Sequence, residues 1–242
     1  MDFNKKIRSA YNTSTLRKLA NLEGEMTMLP EERELMYSDR RSMKMVYVSR
    51  CILNCNNKFP GCSDVPGVYT DIIHPIAMKG VGIEQMPCLE IMGWGGIDRY
   101  KVLKWLDPND KNAPWIGEYF ELCKQEAKKV VDQMEDYIKS DFEILGVIYV
   151  DDSPTCGLTN TQVFPDVHFQ MMEMDIPKGK EYDIDYMFEH ILPHVDASGE
   201  GAYGYQLYLE VERRGLPVKF VPFGPTKPRE AEVKRILADL GL

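Results

Sequence analysis

The sequence predicts an α/β domain with a parallel sheet covered by helices on both faces, and three observations carry that reading. Short continuous apolar runs of the kind that buried strands make recur along the chain. Between them lie stretches whose apolar residues recur at intervals of three and four, the spacing of amphipathic helices. The 242 residues, 44% of them hydrophobic, are enough to bury one sizeable core. Strands alternating with helices imply parallel neighbours joined by right-handed crossovers, a three-layer Rossmann-like arrangement.

Residues 1–44 read differently from the rest. Arg8–Leu22 and Pro30–Tyr37 have helical apolar spacing, many charges and no strand signal, which predicts a helical N-terminal extension packed on the main domain, on a second copy or on a partner protein. The α/β domain then occupies 45–242. Met45–Ser49 is its first predicted strand, and Val81–Met86, bounded by Gly80 and Pro87, is a weaker second. A long helix is expected from Ala113 to Ser140, its apolar stripe running through Ile116, Phe120, Cys123, Ala127, Val130, Val131, Met134 and Ile138. Ile144–Val150 is the strongest strand signal, and Val167–Met174 and Pro217–Phe223 are further ones. Tyr203–Arg214 reads as an amphipathic helix ended by Gly215, a common residue just beyond a helix C-terminus. A last helix is predicted from Arg229 to Leu242.

Charge and composition exclude several classes of function. A formal net charge of −9 with no dense Lys/Arg block argues against duplex nucleic acid as a partner. No apolar run approaches the roughly 18–20 residues of a bilayer span, and the N-terminus lacks a secretory signal, so a cytoplasmic protein without a membrane partner is expected. In that reducing compartment the six cysteines are buried apolar residues or metal ligands, not a disulfide framework.

Three of them share a placement. Met45–Ser49 leads to Cys51, Val81–Met86 to Cys88 and Ile144–Val150 to Cys156, so three predicted strands each run into a thiol. Ligands of open parallel sheets gather beyond the carboxyl ends of the strands, where these thiols can converge. Three thiolates suit an iron–sulfur cluster better than a closed structural zinc site, which takes four protein ligands. A [4Fe-4S] cluster on three cysteines has one iron without a protein ligand, free to act as a Lewis acid or to bind a substrate sulfur. Glu90 beside Cys88 and Asp152 beside Cys156 offer carboxylates for proton transfer.

In these segments the chain resembles the 2-thiouracil desulfurases and their uncharacterised relatives. Cys51, Asn54, Asn57, Lys58, Phe59, Pro60 and Gly61 fall at the places of that family's first motif, Cys-x-x-Gly-x-x-Cys-Arg-Tyr-Asp-Gly. Cys88, Leu89, Glu90, Gly93 and Arg99 match its Cys-Pro-Glu motif with trailing glycines and arginine, and Ser153–Gly157 matches Ser-Pro-Ser-Cys-Gly. Gly199–Gly201 and Arg214–Val218 are similar to the family's closing helix and strand. The resemblance spans about 45–225, broken by inserts near 100–115 and 175–195. It implies a [4Fe-4S] cluster on Cys51, Cys88 and Cys156, with the free iron taking sulfur from a small thiolated substrate and releasing it as sulfide. By the same resemblance Glu90 and Thr155, with Ser153 of the same motif, are the proton-transfer and substrate-activating groups. Asn54, Lys58, Pro60, Leu89 and Thr155 replace the family's glycine, arginine, aspartate, proline and serine, so the cluster motif is better preserved than the substrate pocket. A non-catalytic sulfur or iron–sulfur carrier using the same three cysteines is the alternative.

Other motifs carry less. Cys51, Cys55 and Cys62 do not have the Cys-x3-Cys-x2-Cys spacing of radical S-adenosylmethionine enzymes, and Cys55 and Cys62 read as structural thiols near the cluster or as a sulfur relay. Cys123 reads as core. Gly199–Gly204 matches Gly-x-Gly-x-x-Gly but does not follow a strand, and reads as a glycine-eased helix start offering N–H groups to an anion. His190 and His194 are four apart, but Pro193 interrupts a shared helix. Trp94, Trp105 and Trp115 read as core packing or a pocket wall.

Overall fold

In a computed structural model, residues 41–101, 115–159, 161, 174–180, 183–195 and 199–242 are described. They give four strands, β1 (Lys44–Val48), β2 (Gly82–Gln85), β3 (Glu143–Val150) and β4 (Phe220–Phe223), in one sheet of order β2-β1-β3-β4 with every pairing parallel. The helices are α1 (Arg50–Leu53), α2 (Thr70–Met78), α3 (Leu89–Gly93), α4 (Trp115–Lys139), α5 (Ile184–Tyr186), α6 (Gly204–Arg214) and α7 (Arg229–Leu240). Among the described residues no helix is long and apolar enough to cross a membrane. The predicted N-terminal extension lies outside the described residues except for 41–44, of which Lys44 already belongs to β1, and the predicted strand Val167–Met174 lies outside them except for Met174.

The two faces of the sheet are covered by different helices, as the alternation of side chains along a strand requires. Met45 and Tyr47 of β1 point into a core shared with Cys123, Ala127, Val131 and Met134 of α4 and Leu207 and Val211 of α6. Val46 and Val48 point the other way, onto Ile72 and Ile76 of α2 and Ile236 and Leu240 of α7. Parallel strands buried on both faces read as continuous apolar runs, which is why β1 and β3 were legible as such. In β3, Met45 opposes Ile144 but Val46 opposes Gly146, so Leu145 is an extra residue that resets the alternation. The crossover helices α2 and α4 lie on opposite faces, with β2 and β3 on opposite sides of β1. That is a Rossmann-like winding whose strand order reverses between β1 and β3.

Boundaries follow local chemistry. Gly215 ends α6 in the left-handed conformation, φ 62°, and Gly241 ends α7 likewise at φ 77°. The stretch around Pro193 does not form a helix carrying both histidines: a π turn at Met187–Ile191 gives way to a 3-10 turn at Leu192–His194. Of the three tryptophans, Trp94 is in the core at 4% exposure, Trp105 lies outside the described residues and Trp115 begins α4.

Candidate functional site

Each of the three predicted ligand segments leaves the carboxyl edge of the sheet. Beyond β1, Ser49 N–H donates to the Ile148 carbonyl at 2.9 Å, and the chain turns into α1, which carries Cys51. Beyond β2, Met86 N–H donates to the Val48 carbonyl at 2.9 Å, and Cys88 occupies the N-cap of α3. Beyond β3, Asp151 N–H donates to the Phe223 carbonyl at 3.0 Å and a tight turn carries Ser153 to Cys156. Cys51, Cys88 and Cys156 are free thiols, each partly buried.

The thiols are near enough to act on one another. Burial, with Cys88 and Glu90 adding to it and Lys58 opposing, pushes the Cys51 thiol up to about 12. Cys156 is raised well above the ordinary thiol range by burial, then by Cys51, Cys88 and Glu90. Cys88 is raised by burial and by Glu90, partly offset by the backbone amide of Ile91 and by Arg99. Three thiols that each resist ionisation beside the others need a cationic partner before they can become thiolates together. Among the described residues no three His, Cys, Asp or Glu side chains are grouped to hold a single metal ion.

Arg50 Nε, Asn57 Nδ2 and Arg99 Nε are buried with no hydrogen-bond partner among the described residues, and the Ser49 side chain hydrogen-bonds the Cys156 thiol. Ser49, Arg50 and Asn57 lie close to Cys51 in sequence, and Arg99 donates to the Asn57 carbonyl. All four side chains can donate, and with three thiols they would suit an anionic group rich in sulfur acceptors, such as a thiolate-held iron–sulfur cluster, better than a lone dication.

Glu90 is the hub of the remaining polar groups. Its side chain is 13% exposed and Arg99 Nη2 lies 3.3 Å from Oε2. Ser153 Oγ stands 3.5 Å from Oε1 and accepts from the amides of Cys156 at 3.1 Å and Thr155 at 3.3 Å. Burial raises the Glu90 carboxyl above its ordinary value, and Arg99, Thr155 and Ser153 pull it back. Thr155 is fully enclosed, its Oγ1 2.6 Å from the Tyr119 hydroxyl. Tyr119 was not singled out from the sequence; its place on the Cys123 stripe of α4 marks it only as core. Asp152 is exposed, and burial of its carboxyl group still raises it.

The other cysteines separate. Cys55 and Cys123 are core residues at 1% and 0% exposure, and Cys55 Sγ donates to the Cys51 carbonyl at 3.3 Å. Cys62 is partly buried; burial pushes it up to about 11, with Glu90 adding to the rise and Lys58 opposing it.

The glycine-rich segment has a different use from the one expected. The amides of Ala202, Tyr203 and Gly204 donate to the carbonyls of Pro154 and Thr155 at 2.8–3.0 Å, so they are committed to the cysteine turn and not offered to an anion. A Cβ on Gly201 would stand 2.8 Å from Gly157 N, and one on Gly204 2.7 Å from Gly157 O. These glycines exist so that two backbones can touch, which the glycine spacing alone does not distinguish from a phosphate cradle.

No family profile matches the chain, and no solved structure matches it. In sequence it is similar to an uncharacterized protein, MJ0003, of Methanocaldococcus jannaschii, with 26% identity over 118 residues, 49% of this chain and 70% of the other.

Proposed function

We propose that Cys51, Cys88 and Cys156 hold a four-iron cluster at the carboxyl edge of the sheet, and that the protein hydrolytically removes sulfur from a small thiocarbonyl compound. The supporting observation is the delivery of three mutually interacting thiols from the ends of three neighbouring strands to one carboxylate, Glu90. The resemblance of these segments to the 2-thiouracil desulfurases points the same way. When bound, such a cluster would supply an iron without a protein ligand, a Lewis acid for the substrate's sulfur.

The chain's own groups account for the proton transfers. Glu90, desolvated yet held by Arg99, accepts a proton from water at its carboxylate as the water oxygen attacks the thiocarbonyl carbon. The new C–O bond forms, the C–S bond breaks as the new hydroxyl gives up its proton to become C=O, and both of water's protons leave with the sulfur. No electron is gained or lost, so C=S and water become C=O and hydrogen sulfide. Ser153, whose oxygen already accepts from two amides, keeps its own proton to orient Glu90 or the incoming water. Thr155 is too enclosed to meet a substrate and acts through Glu90.

The test is iron and acid-labile sulfide per chain after anaerobic purification, followed by sulfide release from 2-thiouracil and related thiocarbonyl compounds. About four of each per chain are expected, lost in Cys51→Ala, Cys88→Ala and Cys156→Ala. Iron lost only on changing Cys55 or Cys62 overturns the ligand assignment. An intact cluster with no sulfide release from any of the compounds moves the reading to the carrier.

A further inference from the structure

We propose that Tyr119 is a positioning residue that locks the Cys156 turn against α3 through its ring and its hydroxyl. A buried tyrosine must satisfy its O–H, and this one meets the Thr155 hydroxyl at the site as well as the Cys123 thiol one turn along its own helix. The hydroxyl lies 2.6 Å from Thr155 Oγ1, and both residues are shut off from solvent. The ring is gripped at the other end. It fills the space where a Cβ on Gly93 would stand, with Cε2 3.0 Å from that position, and it tilts against Trp94 at 5.7 Å between centroids.

Gly93 and Trp94 lie at the C-terminal end of α3, the helix that begins beside Cys88 and carries Glu90. Thr155 immediately precedes Cys156. One side chain from α4 therefore connects the segments of two of the three thiols and places the Thr155 hydroxyl at the Glu90 carboxylate. The backbone of the Cys156 turn has separate anchors in Tyr203 and Gly204, whose amides both donate to the Thr155 carbonyl at 2.8 Å. The Thr155 side chain is held from the other direction, by Tyr119 and Glu90. This division also explains Gly93: any side chain there would displace the ring and, with it, the hydroxyl.

The inference rests on the proposed function for its kinetic and cluster readouts, and not for its first one. In the iron-free protein, hydrogen exchange of the segment 153–157 is measured in wild type, Tyr119→Phe, Gly93→Ala, the double variant, Thr155→Val and Thr155→Ser. Tyr119→Phe keeps the ring and removes one oxygen, and it should speed exchange there about tenfold, the factor expected for one ordinary hydrogen bond, while β1 and β3 stay unchanged. Thr155→Val should do the same, and Thr155→Ser, which keeps the hydroxyl, should not. Gly93→Ala displaces the hydroxyl through the ring and Tyr119→Phe removes it, so at segment 153–157 the double variant should be no worse than the poorer single one. With iron bound, Tyr119→Phe should alter the visible circular dichroism of the cluster, hasten iron loss to a chelator and lower kcat for sulfide release with KM held within about twofold.

Unchanged local exchange in both Tyr119→Phe and Thr155→Val, or full additivity in the double variant, overturns the proposal. Should Tyr119→Phe fail to fold, Thr155→Val against Thr155→Ser decides it alone. If the exchange result holds while the wild type takes up no iron and releases no sulfide, the positioning role stands and the desulfuration reading falls.

Discussion

Arg99 and Arg214 handle the same charge in opposite ways. Arg214 closes α6 and faces α4, within 2.9 Å of three carboxylates, those of Glu210, Asp132 and Glu135. Two of these partners, Asp132 and Glu135, reach solvent, and a cation at a helix C-terminus also meets the negative end of the helix dipole. Arg99 is fully buried, adopts a left-handed backbone conformation at φ 47°, and has one carboxylate, Glu90, at 3.3 Å. Its Nε has no partner among the described residues. A network with excess partners serves cohesion, whereas a buried cation with barely enough is costly and persists for what it holds. What Arg99 holds is the carboxylate beside Cys88.

The comparison breaks most visibly at Glu90. On the proposed function, Glu90→Gln lowers the rate of sulfide release by about 10²–10⁴-fold, the range of a lost general acid–base group, while iron content is unchanged. A rate within about threefold of wild type removes Glu90 from the proton-transfer role. Next in size is Arg99→Met, which leaves Glu90 buried without its cation and should cost about 3–5 kcal/mol in urea unfolding. Adding Glu90→Gln to Arg99→Met should restore part of that loss, because the second change removes the stranded charge. Independent, additive losses would mean that the two side chains do not function as a pair.

Glycines sharpen the same contrast at smaller scale. Gly204→Ala puts a Cβ into the Cys156 turn and should cost about 1–3 kcal/mol by overpacking. Gly117 lies in α4 with nothing within 4 Å of the position a Cβ would take, so Gly117→Ala should stabilise by about 1 kcal/mol. Equal effects of the two substitutions would show that the backbone contact at Gly204 is dispensable.

The legible parts of this fold were those with long-range periodicity. β1, β3, α4, α6 and α7 lie within two residues of their predicted bounds because buried strands and amphipathic helices write their environment into every position. Helix α2 was missed: Pro75 lies inside it and a histidine precedes the proline, so its local signal contradicts its state. α1 and α3, of four and five residues, are too short to show a period at all. The strand-end placement of Cys51, Cys88 and Cys156 was readable, since it needs only the strands and the thiols. The site's supporting groups were not. The link between Tyr119 and Thr155 joins residues 36 apart, and the role of Gly204 depends on a backbone 48 residues earlier, at Cys156.

The smallest expected effect is on acid stability, and it concerns the loop between Cys55 and Tyr69. Asp64 accepts from Tyr69 and Lys58 and pairs with Arg229, which also stacks over the Tyr69 ring at 4.5 Å. Burial alone would raise the Asp64 carboxyl, but hydrogen bonds from Tyr69 and Lys58 win and hold it down at about 2, against 3.8 when unpaired. A carboxyl whose folded value is depressed stabilises the fold above the unpaired value and loses that contribution as protons bind. The loss therefore falls between pH 3.8 and about 2. Because Asp64 is 37% exposed, solvent screening keeps the contribution modest. Asp64→Asn should flatten the decline of stability with acid in that window and leave the curve above pH 5 parallel to wild type, while Lys58 stays held by the Tyr69 hydroxyl and the Cys62 carbonyl. An acid limb identical to wild type would assign the decline to other carboxylates, and this loop would then be held by its ring and backbone contacts rather than by its charges.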